Sequence, residues 1–204
     1  KADRADLLVT IEEEAERLSR FVTNLLEMTK VEAGAIDARH DWIAVADAVR
    51  AAVVRARKLA PERQVEAELP PSLPPVRADA SLLEQVIFNL LDNANKYSGP
   101  GSITRIAAVP GDDALVVTVT DEGLGIPADA LEKVFEKFYR VAGSDGRAPG
   151  TGLGLSICAG LVRAMGGSIR AESPAAAGKG TRITISFPLE PMPKETSASE
   201  TERS

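Results

Sequence analysis

SLLEQVIFNLLDNANKYS, residues 81–98, carries two stripes at helical spacing. Leu83, Ile87, Leu90, Leu91 and Ala94 recur in steps of three and four and form an apolar face that can pack on a sheet. Asn89, Asn93 and Lys96 fall on a second face, about a third of a turn away, with Asp92 and Tyr97 flanking it. Asparagine is a poor choice for a surface helix, where Glu, Lys and Gln have better propensity. An amide oxygen is a neutral hard ligand, suited to a Mg²⁺ ion that keeps its waters and bridges phosphates. Taken alone, the stripe reads first as a solvated polar face.

Downstream, VTVTDEGLGIP (117–127) runs a strand out into Asp121 and then bares the backbone at Gly123 and Gly125. A carboxylate at the bottom of a pocket can accept the exocyclic amino group of adenine, and glycines beside it let a flat base approach the main chain. The plain alternative is a tight turn closed by an Asx hydrogen bond. PGTGLGLSI (149–157) places glycines ahead of an apolar helix, where N–H groups and the helix dipole favour an anion. It fits neither GxxxxGK[ST] nor a strand-led GxGxxG. Before it, FEKFYR (135–140) sets Phe135 and Phe138 as apolar hinges, and residues 139–150 read as a lid that orders on a ligand. Lys96, Arg140 and Arg147 are the local cations able to hold a polyphosphate on an acidic protein.

The surrounding composition narrows the class. The chain has 204 residues and a formal charge of −6, which argues against a general nucleic-acid binder. No apolar run approaches the roughly 20 residues a membrane span needs, and no secretion signal is recognisable, so a cytoplasmic setting is the default. A single cysteine, Cys158, lies among apolar neighbours and reads as a small buried hydrophobe. The chain opens at Lys1 inside a helical pattern, as a piece of a longer protein would.

Residues 4–33 predict one long helix with a near-heptad seam of Leu8, Ile11, Ala15, Leu18, Val22 and Leu25, widened by Leu7, Phe21 and Met28. Such a seam calls for a partner helix; the alternative is a helix lying on its own domain. Gly34 closes the helix. A short strand near Trp42 and a helix over 45–59 follow. Alternation at Val65, Ala67 and Leu69, at Ile103, Arg105, Ala107 and Val109, at Leu115, Val117 and Val119, and at Ile183, Ile185 and Phe187 predicts strands with one buried face. Further helices are expected at 79–97, 128–134 and 152–165. The whole suggests an α+β fold, a two-layer α/β sandwich with a mixed sheet and helices on one face, over 40–190. Residues 191–204 have almost no apolar content and read as a disordered tail.

In order and spacing, the asparagine helix, the Asp-x-Gly-x-Gly turn, the Phe-rich segment and the Gly-x-Gly-x-Gly loop resemble the N, G1, F and G2 boxes of sensor histidine kinases. NLLEMTKVEAGAI (24–36) with DWIAVADAV (41–49) looks most like the potassium-sensing branch of that family. The resemblance spans about residues 1–190. It implies the ATP-binding sandwich also used by gyrase, MutL and Hsp90, with ATP and Mg²⁺ as ligands. Asn93 would hold the metal with Asn89 beside it, Lys96 would contact phosphates, Tyr97 would line the adenine pocket and Asp121 would bind the adenine amino group. Asn89, Asp92 and Arg140 would serve the chemistry. Gly123, Gly125, Ile126, Phe138, Gly150, Thr151, Gly152, Leu153, Gly154 and Leu155 would complete the nucleotide contacts. Residues 1–35 would be the second helix of a dimerisation and phosphoacceptor domain. The parent would be a homodimer, and its acceptor histidine would pass the phosphoryl group to a response regulator.

One departure matters. The only histidine, His40 in DARHDW, lies outside any acceptor motif and reads as a surface loop residue. The chain is therefore expected to bind ATP without phosphorylating itself. The rival is an ATP-hydrolysing switch, but such relatives carry a glutamate one turn before the metal-binding asparagine, where this chain has Asn89; Asp92 leaves slow hydrolysis open. An anti-sigma-factor type serine kinase would lack the heptad helix, and a degenerate scaffold would not keep all four boxes populated.

Overall fold

A computed structural model describes residues 2–141, 151–175 and 178–191. Helix α1 (Ala2–Glu32) leads into β1 (Asp41–Ile43), α2 (Val45–Leu59), β2 (Gln64–Glu68), β3 (Val76–Ala78) and α3 (Ala80–Tyr97). Then come β4 (Ile103–Pro110), β5 (Ala114–Thr120), two 3-10 turns, α4 (Gly154–Ala164), β6 (Ser168–Glu172) and β7 (Arg182–Pro188). The main sheet has the order β2-β4-β5-β7-β6, parallel only between β2 and β4, and β1 pairs with β3 in a separate ribbon. The mixed sheet carries α2, α3 and α4 on one side: an α+β sandwich, as its sequence pattern implies.

The core between the layers is aliphatic. Val86, Ile87 and Leu91 of α3 meet Ile106, Val117, Ile185 and Phe187 of the sheet and Ile157, Leu161 and Met165 around α4. On β4 the buried face is Thr104, Ile106 and Ala108, not the Ile103, Arg105, Ala107, Val109 set that alternation suggested. Both sets alternate, and the choice is made by register: Ile106 pairs with buried Val119, whereas Val109 ends exposed at the rim. The segment 128–134 forms two short 3-10 turns, 128–130 and 133–135, instead of a helix. Strands β3 and β6 carry too short or too polar a pattern to be anticipated. The proposed lid, beyond residue 141, and the tail, beyond residue 191, lie outside the described residues.

Helix α1 ends at Gly34 (φ 60), where the Ala35 N–H reaches the Lys30 carbonyl and the Gly34 N–H reaches Val31. Its last turns dock on the sandwich. Met28 is buried, the Ser156 hydroxyl touches its sulfur, Val31 packs on Gly160 so closely that a Cβ there would lie 2.3 Å from Val31 Cγ1, and Glu32 pairs with Lys137. Met28 therefore belongs to the docking face and not to the open seam. Leu8, Ile11, Leu18, Val22 and Leu25 remain exposed, Leu18 at 63 %. The helix lies on its own domain at one end and leaves an uncovered apolar stripe along the rest.

Asp79 fixes the start of α3. Its carboxylate accepts the N–H groups of Ser81 and Leu82, and on its other oxygen that of Arg39, tying the β1 approach to the helix. Burial pushes its carboxyl up, but these three N–H bonds and the Arg39 charge outweigh burial and hold it below the usual range. Asp79→Ala will cost about 1–2 kcal/mol in urea unfolding at neutral pH. A lowered native pKa gives stability that is present above the unfolded value and lost as pH falls through the native one. The gap between variant and wild type will therefore close on acidification below about pH 4.

Candidate functional site

One cavity of about 370 Å³ opens between α3, the ends of β5 and β7, and the start of α4. From α3 it is lined by Asn89, Asp92, Asn93, Lys96 and Tyr97; from the strand ends by Val119, Asp121, Thr181 and Ile183; and from the loop after β5 by Leu124 to Pro127. Tyr139, Arg140, Thr151, Gly152, Gly154 and Leu155 close the far side. The polar stripe of α3 and Asp121, 28 residues beyond Asn93, thus face one space.

At the inner end, Asp121 sits just past β5. Its Oδ1 accepts the Gly123 N–H (2.8 Å) and the Thr181 N–H (3.2 Å), while its own N–H donates to Thr181 O (2.9 Å). Oδ2 takes no hydrogen bond from the described residues, and Asp121 lines the cavity. Burial raises the carboxyl above its ordinary range, with the two N–H bonds opposing the rise. A half-buried acceptor with one oxygen committed and the other open is suited to a neutral N–H donor on a flat ligand. Gly123 is needed for closeness: a Cβ there would lie 2.6 Å from Tyr97 O and 2.8 Å from Asp121 Oδ1.

At the outer end, the Asn93 amide lies against the first turn of α4, Nδ2 being 3.5 Å and Oδ1 3.7 Å from where a Gly154 Cβ would stand. No side chain caps α4, so its first N–H groups are left for a ligand. Thr151 Oγ1 accepts the Leu153 N–H. Lys96 and Asp92 form an i,i+4 ion pair at the rim, which engages the Asp92 carboxylate. Asn89 lines the cavity near Cys158, whose thiol is buried and pushed up to about 12 by desolvation. Cys158 is inert packing, as its neighbours imply.

Some expected contacts fall elsewhere. Phe138 is 59 % exposed and does not line the cavity; its left-handed backbone (φ 60) is held by its N–H on Gly152 O. Leu153 is fully buried in the core, because the step into α4 turns its side chain inward. Gly123 acts behind Asp121 and not on the wall. Gly150 and Arg147 lie outside the described residues. His40 is exposed ahead of β1 and is not part of the cavity. Conversely, Thr181, Ile183 and the α1 residue Asn24 line the space unanticipated. The signal for Thr181 was GKGT (178–181), a glycine pair and hydroxyl directly before an alternating strand.

The donor set fits a phosphate-bridged cation. Among the described residues no cluster of three or more His, Cys, Asp or Glu could hold a metal alone. Asn93, with Asn89 one turn away, offers neutral amide oxygens beside the open N–H groups of α4, an arrangement that leaves most coordination positions to ligand oxygens and water.

This sandwich, with a polar helix face opposite a half-buried carboxylate, defines an ATP-binding domain. The family described as histidine kinase-, DNA gyrase B- and HSP90-like ATPase matches residues 78–191, and the chain belongs to it. The chain is 38 % identical over 177 residues to the sensor protein KdpD of Clostridium acetobutylicum, and 36 % identical over 186 residues to the sensor histidine kinase WalK of Bacillus subtilis. These alignments cover 86 % and 89 % of the chain but only 20 % and 30 % of the relatives' lengths. The solved structure of the mycobacterial sensor histidine kinase MprB superposes with a TM-score of 0.65 at 32 % identity, covering 75 % of this chain and 99 % of that one. Among the described residues no helix is long and apolar enough to cross a membrane.

Proposed function

We propose that the chain binds Mg-ATP and donates its γ-phosphoryl group to a histidine outside residues 1–204. The observation that carries this is the pairing of Asn93 with the uncapped start of α4 in the same cavity as Asp121. Adenine enters against Asp121, Tyr97 and Ile126; the triphosphate runs out toward Asn93, Thr151, Gly152 and Gly154, with Lys96 and Arg140 as cations. A bound Mg²⁺ on Asn93 and Asn89 supplies charge neutralisation between the phosphates. The imidazole lone pair forms the new P–N bond as the bond to the β,γ-bridging oxygen breaks, its electron pair leaving on ADP. This chain's residues need only position and neutralise. Asn89 has no proton-accepting role to offer water, and Asp92 is engaged by Lys96, which favours transfer over hydrolysis.

The exposed stripe of α1 fits a second helix bearing the acceptor, within a helical bundle that makes the parent a homodimer. A response-regulator aspartate is the onward acceptor, and a cytoplasmic setting follows from both. Incubating the chain with γ-labelled ATP, Mg²⁺ and a separately prepared acceptor hairpin will label the hairpin. Label on this chain, or phosphate released to water at the same rate with and without hairpin, refutes the transfer.

A further inference from the structure

The loop from Asp121 to Ile126, which forms the inner wall, is fastened at both ends to the β6–β7 hairpin. At its start, Asp121 and Thr181 exchange main-chain and side-chain hydrogen bonds. At its far end, the fastening is a single hydroxyl. Ser173 Oγ accepts the Ile126 N–H at 2.9 Å and donates to the Gly180 carbonyl at 2.8 Å. It sits so close under the loop that a Cβ on Gly125 would lie 2.7 Å away. Ser173 does not line the cavity, whereas Gly125 and Ile126 do, as does Thr181, the residue after Gly180.

We infer that Ser173 is a positioning residue for base recognition: its hydroxyl clamps the Gly125–Ile126 wall to the Gly180 bend and so sets the width of the pocket over Asp121. This rests on the adenine site proposed above. No other described group takes the Ile126 N–H, so removing the hydroxyl frees that donor and leaves the loop held only toward its start, by Asp121 and by the ion pairs of Glu122 with Arg105 and Lys179. The Gly123 N–H, which holds Asp121 Oδ1 from within the same loop, is then released to shift as well. The phosphate end, built from α3 and α4, is not touched. The clamp therefore acts on the purine and not on the polyphosphate.

The test titrates Mg-ATP and the triphosphate of purine riboside, which lacks the 6-amino group, by calorimetry into wild type, Ser173→Ala, Ser173→Thr and Asp121→Asn. Ser173→Ala should bind ATP roughly tenfold more weakly, the scale of one unpaired part-buried donor. Its preference for ATP over the analogue should shrink several-fold, and Ser173→Thr should restore both. General loosening would weaken both nucleotides alike, so an unchanged preference overturns the clamp, as does wild-type affinity in Ser173→Ala. Should Ser173→Ala fail to fold, the isosteric pair Ser173→Thr and Ser173→Val decides: equal affinities for the two overturn the clamp. Asp121→Asn separates the two claims. If it binds like wild type, the base pocket itself is misplaced; if it fails while Ser173→Ala does not, only the clamp falls.

Discussion

Replacing Asp121 by asparagine will weaken Mg-ATP binding about a hundredfold, the scale set by losing a hydrogen bond to a charged acceptor, and will leave the fold intact. The two groups are almost the same shape, so the effect is one of hydrogen-bond polarity. In the wild type Oδ1 receives N–H groups from Gly123 and Thr181, leaving Oδ2 for the ligand. Asparagine can satisfy those donors only by turning its oxygen toward them. Its NH₂ group then points into the cavity, where it meets the adenine amino group donor to donor. The opposite rotamer aims NH₂ at two backbone N–H groups and is worse. Calorimetry reads the loss directly; an affinity within threefold of wild type would show that the purine does not sit on this carboxylate.

Stability should move the other way. Burial raises the Asp121 carboxyl above its ordinary range. A raised native pKa means that stability is fully present below the unfolded pKa and declines as pH rises through the native one. At neutral pH the ligand-free wild type thus carries the cost of a desolvated charge, which a neutral amide does not. Asp121→Asn will melt at the same temperature as wild type or higher at pH 7, and the advantage will disappear below about pH 4. Weaker binding joined to unchanged or greater stability is the signature of a group held for its ligand, because a residue serving the fold loses both together.

How much of this was legible in the sequence follows from which forces are local. Helix α2 (Val45–Leu59) and α3 (Ala80–Tyr97) were readable because apolar periodicity acts within a few residues. The β4 register was not, since Ile106 and Val109 both sit in alternating sets and only pairing with β5 decides which set faces α3. Asn93 and Asp121 stood out because asparagines on a helix and an aspartate at a strand end break local preference. Leu153 and Phe138 misled for the opposite reason: Gly152 and Gly154 flank Leu153 in the cavity and Tyr139 follows Phe138 into it, yet Leu153 turns into the core and Phe138, with φ 60, out to solvent. The parts of the site assembled across long separations were silent. Ser173 contacts a loop 47 residues earlier, and Asn24 reaches the cavity from another element altogether.

Gly180→Ala will destabilise the protein and abolish measurable ATP binding, although residue 180 does not line the cavity. The hairpin bends at Gly180 with φ 78, a conformation costly for any residue with a Cβ. Geometry makes the position harsher still. A Cβ there would lie 2.0 Å from the Asp121 carbonyl oxygen and 2.9 Å from its carbon, both rigid main-chain atoms at the base of the site. The clash can be relieved only by parting the hairpin from the end of β5, which breaks the Asp121–Thr181 pair that aims the carboxylate. Backbone strain and steric displacement together should cost about 3 kcal/mol, or roughly 10 °C in Tm for a domain of this size. Gly178 supplies the control. It has a similar φ of 79 in the same hairpin, yet nothing lies within 4 Å of its Cβ position. Gly178→Ala should lose only the backbone part, about 1 kcal/mol, and bind ATP as wild type does. Thermal melts and calorimetry on the two variants separate the contributions. Equal losses at both positions would show that backbone conformation alone, and not the approach to Asp121, makes residue 180 a glycine.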